Sequence, residues 1–194
     1  MELLALGAFS VLGRHLTFDD CGQFSNTESE VHRVFFHKFV KIGATALYDE
    51  YVRLPETAEE IVSAMHEYKQ AGLDGCIGSI DATHVYVTKA ESSLKNLNTG
   101  KEQYQSRTFN VAVNHRRKII HSTHGAAGSF NDKTLIRGDK FAQDLRYKRI
   151  LQDVEYSLYK ADGTKETRKG PWLMVDNGYH MWTCTVSPFK FSTR

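Results

Sequence analysis

The hydrophobic period of the chain changes once, close to Gly75, and this change limits the folds that the chain can adopt. Before Gly75, apolar residues recur every three to four positions, as they do along one face of a helix. After Gly75 they alternate with polar residues, which is typical of strands with one buried face. We therefore predict a helical region over residues 1–74 and a region built around a sheet over residues 75–194.

The helical region begins with an apolar stretch, "MELLALGAFSVLG". Glu2 stands where a signal peptide carries basic residues, and 13 residues are too few to span a bilayer. We predict a buried helix there, with no membrane attachment and no secretion. The three cysteines lie far apart in the sequence, which indicates neither a disulfide framework nor a zinc knuckle and fits a reducing compartment; they are Cys21, Cys76 and Cys184.

A short amphipathic helix, a turn and a longer helix follow. The short helix is predicted around residues 18–24, and Thr27 is predicted to cap the longer one, with Glu30 completing a capping box. This arrangement resembles a helix-turn-helix. Its acidic start is unlike that of a DNA-reading helix, so plain helical packing and groove reading are both open.

The second region reads as three strands, a helix and a further strand. The first strand is predicted over Ile77 to Thr88, and a hairpin follows whose turn spans Asn114 to Lys118. Ser129 or Asn131 is predicted to cap the helix, and "LYKADGTKETRKGPW" is a loop or a small exposed hairpin. This order predicts an α/β (α+β) fold, an RNase H-like mixed sheet with a crossover helix, preceded by an all-helical, helix-turn-helix-like region.

Charge is divided unevenly along the chain. Residues 1–75 carry 6 Lys/Arg against 12 Asp/Glu, whereas residues 76–194 carry 19 against 11, so the two parts have net charges of −6 and +8. A polyanion such as DNA is therefore a plausible partner of the second part, and scattered solvated charge is the alternative. The best candidates for phosphate contacts cluster at the hairpin turn, and they are Arg116, Arg117 and Lys118.

Two aspartates are the candidate catalytic residues. Asp81 lies within the first strand, in "GSIDATHV", where an unpaired carboxylate is costly to desolvate and calls for a hydrogen-bonding partner or a cation. Asp176 follows the last strand, in "MVDNGY", and strand ends at a change of strand order are where ligands bind. Two carboxylates brought together repel each other unless a cation lies between them, and hard oxygen ligands favour Mg²⁺ or Mn²⁺. The structural alternative for Asp81 is a hydrogen bond to backbone or to an arginine.

Histidines near the predicted sheet offer a second kind of site, a zinc centre that uses Asp81. His121 and His124 differ in strand parity, so one strand would direct them to opposite faces. His84 also has opposite parity to Asp81, and we predict that it orders the other face of the sheet. The fourth candidate is His180.

Four segments, taken together, resemble PIF/Harbinger-type DDE transposases and the nucleases derived from them. They occur in collinear order over nearly the whole chain: "LGRHLTFDDCGQFSNTESEVHRVFFHKF", "GCIGSIDATHV", "GAAGSFNDKTLI" and "WLMVDNGYHMWTCTVSPFK". The resemblance implies an RNase H-like catalytic core that cuts DNA with a divalent metal. It also implies action in the nucleus if the source is eukaryotic, and otherwise in the cytoplasm, with a separate protein as a possible source of DNA recognition.

The same resemblance implies roles for single residues. Asp81 corresponds to the first catalytic aspartate and Asp176 to the second, and both are expected to bind metal. Asp132 matches an aspartate that is frequent in the family outside the catalytic triad, so helix capping is its expected role. Asp132 and His84 are the possible accessory residues.

The third carboxylate of that family is a glutamate on a helix beyond the Asp-x-Gly-Tyr strand. Only 18 residues follow Asp176 here, and none is Asp or Glu. The expectation is therefore an incomplete copy of a metal-dependent DNA endonuclease or transposase. The alternative is a catalytically inactive, domesticated module that binds DNA or protein.

Overall fold

The computed structural model describes residues 1–87, 92–101, 103–179 and 182–188. The chain forms two compact units, Met1–Arg53 and Leu54–Arg194. Thr88, the predicted end of the first strand, and His180 lie outside the described residues. Over the described part of the chain, no helix is both long enough and apolar enough to cross a membrane.

The first unit is helical, as predicted. Its helices are α1 (Glu2–Arg14), α2 (Phe18–Ser25) and α3 (Ser29–Ile42), and α3 continues through a π-helical turn, Gly43–Leu47, into α4 (Tyr48–Tyr51).

The prediction that the N-terminal helix is buried is wrong. In α1 only Gly7 and Ala8 are buried, while Phe9 and three of the four leucines of this helix are exposed. Gly7 is buried because the ring of His32 packs against it. A Cβ at position 7 would lie 2.6 Å from His32 Nδ1, so a larger residue would not fit there. The His32 Nε2 atom in turn lies 2.7 Å from Ser25 Oγ.

The predicted capping box at Thr27 is also wrong. Glu28 occupies the N-cap position of α3 and makes no side-chain cap hydrogen bond. The Thr27 N–H, which would donate to Glu30 in a capping box, donates instead to the Gly22 carbonyl oxygen of α2. A capping box does occur one helix earlier, where Thr17 and Asp20 bond each other's backbone N–H at the start of α2.

The second unit contains the remaining elements. Its helices are α5 (Ala58–Lys69), α6 (Lys95–Asn98), α7 (Asp132–Gly138), α8 (Lys140–Tyr147) and α9 (Arg149–Gln152). Its strands are β1 (Cys76–Tyr86), β2 (Ser106–Val113), β3 (Ile119–Ser122), β4 (Ala126–Ala127), β5 (Glu155–Tyr159), β6 (Lys165–Lys169), β7 (Trp172–Met174) and β8 (Thr185–Val186).

The main sheet has the strand order β3-β2-β1-β7-β8, with β4 also paired to β2. Strands β1, β2 and β3 form an antiparallel meander, and β7 returns parallel to β1 after the helices α7 to α9. This order confirms the predicted RNase H-like mixed sheet with a crossover helix and preceding helices. The charged stretch after α9 forms a separate two-stranded hairpin, β5–β6, which is the second of the two predicted possibilities.

The core lies on one face of the main sheet. Ile80 of β1 packs there with Ile61 of α5 and with Phe141 and Leu145 of α8, and Ile77, at the irregularity between Cys76 and Gly78, belongs to the same cluster. Helix α5 thus belongs to the second unit, so the compact units divide earlier in the chain than the change of hydrophobic period at residues 74 and 75.

The predicted single crossover helix is divided at Asp139. This residue is extended, with φ −79° and ψ 114°, and its carboxylate accepts hydrogen bonds from the N–H groups of Phe141 and Ala142. The side chain therefore caps α8 and interrupts the helix that began at Asp132.

Candidate active site

The parallel register of β1 and β7 brings Asp81 and Asp176 to the same level of the sheet. Ser79 lies beside Met174, and each aspartate stands two residues further along its own chain. Because side chains alternate along a strand, Asp81 and Asp176 then share the face that carries Ser79 and Met174, opposite the core. On the other side of β7, the Val175 N–H donates to the Val186 carbonyl oxygen at 3.1 Å, so the pairing of β7 with β8 continues to the residue before Asp176.

Asp176 begins a tight turn. The Gly178 N–H donates to Asp176 Oδ1 at 2.8 Å, and Asn177–Tyr179 form a single 3₁₀ turn. The carboxylate is exposed and its direction is fixed by the turn that it starts. The local sequence explains this geometry, since an aspartate readily bonds the backbone N–H two residues on.

Asp132, the first residue of α7, lies close to the same turn. Asn131 caps this helix by accepting from the Thr134 N–H at 2.9 Å, so Asp132 does not have the capping role expected for it, whereas Asn131 was one of the two predicted caps. A Cβ built on Gly178 would clash with Asp132 Oδ2 and lie 3.0 Å from Asp176 Oδ1. Two carboxylates therefore converge on the space that this glycine leaves empty.

The three carboxylates form an uncompensated negative site. Asp81 accepts a hydrogen bond only from the neighbouring Ala82 N–H, at 2.8 Å, and no Lys or Arg among the described residues pairs with Asp81, Asp132 or Asp176. Partial burial raises the pKa of Asp81 above its ordinary value, the Ala82 N–H opposes this shift, and the charges of Asp176 and Asp132 add to it. Of the two structural alternatives for Asp81, the hydrogen bond to backbone is present, from the Ala82 N–H, and no arginine among the described residues pairs with it.

The donor atoms at this site suit a hard divalent cation. Carboxylate oxygens are the ligands that Mg²⁺ and Mn²⁺ prefer, and the space beside Gly178 lets two of the carboxylates approach each other. Across the described residues, no group of three or more His, Cys, Asp or Glu side chains has the spacing of a closed metal site. Asp81, Asp132 and Asp176 are the carboxylates here that could contribute ligands, and of these Asp132 and Asp176 flank the space beside Gly178.

The described histidines do not gather around Asp81. His84 lies on the core face, with Nδ1 3.2 Å from Ser106 Oγ and 3.1 Å from Thr108 Oγ1. His121 Nε2 lies 3.0 Å from Asp139 Oδ1, while His124 is exposed. Within the described ranges they form no zinc centre with Asp81.

The basic residues at the β2–β3 turn lie toward the N-terminal end of β1. The turn follows Val113, which pairs with Ser79, so it continues away from the end of β1 that extends beyond Asp81. Arg116 Nη2 forms an ion pair with Glu67 Oε1 at 2.8 Å, and Arg117 takes a left-handed conformation at the turn, with φ 60°. Arg116 is thus already held by a carboxylate of α5.

A buried polar network beneath the site was not foreseen from the sequence. Tyr179 is 0% exposed and its hydroxyl donates to Asn110 Oδ1 at 3.0 Å, while Asn110 Nδ2 donates to Asp139 Oδ2 at 3.1 Å. Burial raises the pKa of Tyr179, and the charges of the nearby aspartates, Asp132 first, raise it further.

The carboxylate of Asp139 is ionised although it is buried. Burial opposes ionisation, but His121, Asn110 and the Ala142 N–H together hold the pKa of Asp139 below its ordinary value. The His121 Nε2 atom is within ion-pair distance of this carboxylate but is poorly oriented for a hydrogen bond. The only sequence sign of this network was the local one, an aspartate followed by an apolar helical stretch, "DKFAQDL".

Comparison with known proteins gives one family. The sequence profile of the DDE superfamily endonucleases, which include Harbinger-derived transposases, matches residues 80–192, more than half of the 194 residues. No curated protein and no solved structure matches the chain significantly. The matched segment contains both candidate catalytic aspartates, and the chain belongs to the DDE superfamily endonucleases.

Proposed function

We propose that this protein is a Harbinger-type DDE endonuclease or transposase that hydrolyses or transfers phosphodiester bonds of DNA. Asp81 and Asp176 hold Mg²⁺ or Mn²⁺, and Asp132 is an accessory carboxylate. The observation that carries the proposal is the register of β1 and β7, which sets two carboxylates side by side without a cationic partner among the described residues. Endonucleases of this superfamily typically use divalent metals, and the donor atoms agree with that chemistry.

In this proposal the two aspartates bind the divalent ion and orient it. Asp81 lies where β1 is paired with β2, and its carboxylate accepts from the Ala82 N–H. Asp176 accepts from the Gly178 N–H, so both carboxylates have a backbone hydrogen bond that orients them before any ligand binds. A bound divalent ion would supply activation of the attacking water and stabilisation of the leaving oxygen. Preorganised ligands lower the reorganisation that the reaction requires.

DNA as the substrate agrees with the charge of the second unit. Residues 54–194 carry 20 Lys/Arg against 16 Asp/Glu, a net charge of +4, whereas residues 1–53 carry 5 against 7. Excess positive charge favours binding to the phosphate backbone. A separate DNA-binding partner protein and action in the nucleus of a eukaryotic cell belong to the same proposal, because they rest on the likeness to Harbinger-type proteins.

The test compares the native chain with Asp81→Asn and Asp176→Asn. We expect the native chain to bind Mn²⁺, measured by electron paramagnetic resonance of the free ion, and each variant to lose at least tenfold in affinity. Nicking of supercoiled DNA in Mg²⁺ or Mn²⁺ should fall in parallel. Asp162→Asn is the matched control, since Asp162 is an exposed aspartate in the β5–β6 turn whose side chain accepts hydrogen bonds from Thr164. Equal Mn²⁺ affinity in the native chain and in Asp81→Asn would sink the assignment.

The second candidate function is a catalytically inactive module that binds DNA or protein. It is favoured by one observation, the lack of a closed set of three metal ligands within the described residues. In that case the native chain would retain DNA on a gel, and it would neither bind Mn²⁺ tightly nor cut DNA in the assay above.

A further inference from the structure

We infer that Tyr179, Asn110 and Asp139 act as a positioning relay, which fixes the turn that carries Asp176 and thereby sets the affinity of the site for a divalent cation. The inference rests on the proposed function, because it concerns residues that hold a proposed metal ligand in place. All three side chains are fully buried. Asn110 pairs with Ala82, so it lies on the core face, opposite the face of Asp81.

Tyr179 is the end of the relay that belongs to the turn. It stands three residues after Asp176, and its N–H points to the Asp176 carbonyl oxygen at 3.4 Å. The turn passes from the site face, where Asp176 lies, to the core face, where the phenol is enclosed. A buried tyrosine hydroxyl usually has a hydrogen-bond partner, and this one, bonded to Asn110, joins the turn to β2.

Only one orientation of the Asn110 amide allows both of its side-chain hydrogen bonds. An ionised carboxylate accepts hydrogen bonds and cannot donate them, so Asn110 must turn its NH₂ group to Asp139. Its oxygen is then left to accept from Tyr179. The backbone of Asn110 is held as well, since its N–H donates to Thr123 Oγ1 at 2.9 Å and its carbonyl oxygen accepts from the Thr123 N–H at 3.0 Å.

Asp139 is the fixed end of the relay. Its Oδ1 accepts from the N–H groups of Phe141 and Ala142 at 2.8 and 3.2 Å, and its Oδ2 accepts from Asn110. Because Asp139 caps α8, whose Phe141 and Leu145 lie in the core, it cannot shift without disturbing that helix. The relay therefore connects the core helix to the turn of Asp176 across β2.

Supporting partners of this kind usually change metal affinity by about 10- to 100-fold when they are removed. We expect Tyr179→Phe to lower the Mn²⁺ affinity of the chain about tenfold, because the turn loses its tie to β2 and Asn110 keeps an unpaired buried oxygen. Tyr68→Phe is the control, since Tyr68 is a buried tyrosine of the same unit that lies on α5, outside the relay.

A second readout needs no metal. The Gly178 N–H bonds Asp176 Oδ1, so its hydrogen–deuterium exchange, followed by ¹⁵N NMR, reports the state of the turn. In Tyr179→Phe this amide should exchange faster than in the native chain, and in Tyr68→Phe it should not.

A charge swap tests the orientation of the amide. Asn110→Asp places two carboxylates against each other and should weaken Mn²⁺ binding and speed Gly178 exchange. Adding Asp139→Asn restores a complementary pair, because an amide at 139 can cap α8 through its oxygen and donate its NH₂ to the carboxylate at 110, which still accepts from Tyr179. Recovery of both readouts in the double variant is the expected result.

The outcomes separate the two proposals. If Tyr179→Phe and Asn110→Asp only lower the melting temperature, with Mn²⁺ affinity and Gly178 exchange as in the native chain, the relay is overturned and the metal site stands. If Asp81→Asn leaves Mn²⁺ affinity unchanged, the metal site fails, and Gly178 exchange in the same variants still decides whether the relay holds the turn.

Discussion

At the scale of single residues, the missing side chain of Gly178 leaves room for two carboxylates of the site to approach each other. The position follows Asp176 by two residues, and the side chain that it lacks would occupy the space where the carboxylates of Asp132 and Asp176 approach each other. Its φ is not in the left-handed region, so an alanine can adopt the same backbone. A substitution there acts through steric contact rather than through backbone strain.

We therefore predict that Gly178→Ala weakens the Mn²⁺ affinity of the native chain by about three- to tenfold, a loss of roughly 1 kcal/mol. The added methyl group meets the Asp132 carboxylate, which is the end of a movable side chain and will turn away. The fold should persist, and circular dichroism checks that it does. Titration with Mn²⁺ measures the change.

Gly138→Ala is the matched control for this prediction. Gly138 ends α7, and a Cβ there would meet no atom within 4 Å. The Mn²⁺ affinity of Gly138→Ala should equal that of the native chain. An unchanged affinity in Gly178→Ala as well would show that the separation of Asp132 and Asp176 does not matter for the cation.

Strands β1 and β2 together present an exposed face beside the aspartates. Directly paired residues share a face, and the pairs on this one are Asp81 with Val111, Thr83 with Phe109 and Val85 with Arg107. The face thus carries a carboxylate at one end and an exposed arginine at the other. Arg107 donates to the Gly125 carbonyl oxygen at 3.4 Å and pairs with no carboxylate in the described part of the chain, which leaves its charge available to a phosphate.

We predict that Arg107→Ala weakens DNA binding of the native chain by severalfold and lowers the slope of log affinity against log salt by about one. Arg116→Ala should have a smaller effect, because Glu67 already neutralises that guanidinium. Fluorescence anisotropy with a labelled duplex at several salt concentrations measures both variants. A larger loss of DNA affinity in Arg116→Ala than in Arg107→Ala would indicate that the phosphate contact lies at the β2–β3 turn instead.

The elements of the second unit could be predicted from the sequence where the hydrophobic period was long enough. The eleven residues of β1 and the β2–β3 hairpin show such a period, and the sequence order already indicated an RNase H-like sheet. The two-residue strand β8 could not be predicted. Two residues, Thr185 and Val186, are too few to show a hydrophobic period, and the strand is defined by its pairing with β7.

The site was predictable in part. The residue types and the strand ends indicated Asp81 and Asp176. The parallel register of β1 and β7, which brings the two residues to the same level of the sheet, could not be read from the sequence. Asp139 and Asn110 were missed because each forms its decisive bond with a residue at least 29 positions away in the sequence. Thr27 was misassigned because the end of α2 competes for its N–H group.

At the scale of the whole molecule, the acid stability of the second unit depends on a charge inside its core. Asp139 is 0% exposed and touches α8, β2 and His121 of β3, so its ionisation is coupled to the packing of the main sheet. Its pKa in the folded state lies below the ordinary value of about 3.9. The unfolded chain therefore binds a proton at Asp139 more readily than the folded chain does.

Linkage then gives the sign of the pH dependence. Asp139 contributes stability above its unfolded pKa, and this contribution is lost as the pH falls through the lower folded pKa. We predict that Asp139→Asn lowers the free energy of unfolding near neutral pH by about 2 kcal/mol, the usual worth of hydrogen bonds to a charged group. The free energy of unfolding should also rise less steeply from pH 3 to pH 6 in this variant than in the native chain. Urea unfolding at several pH values measures both effects, and Asp153→Asn, which removes an exposed carboxylate paired with Arg149, is the control. Parallel pH profiles in the native chain and Asp139→Asn would show that the buried carboxylate does not control acid unfolding.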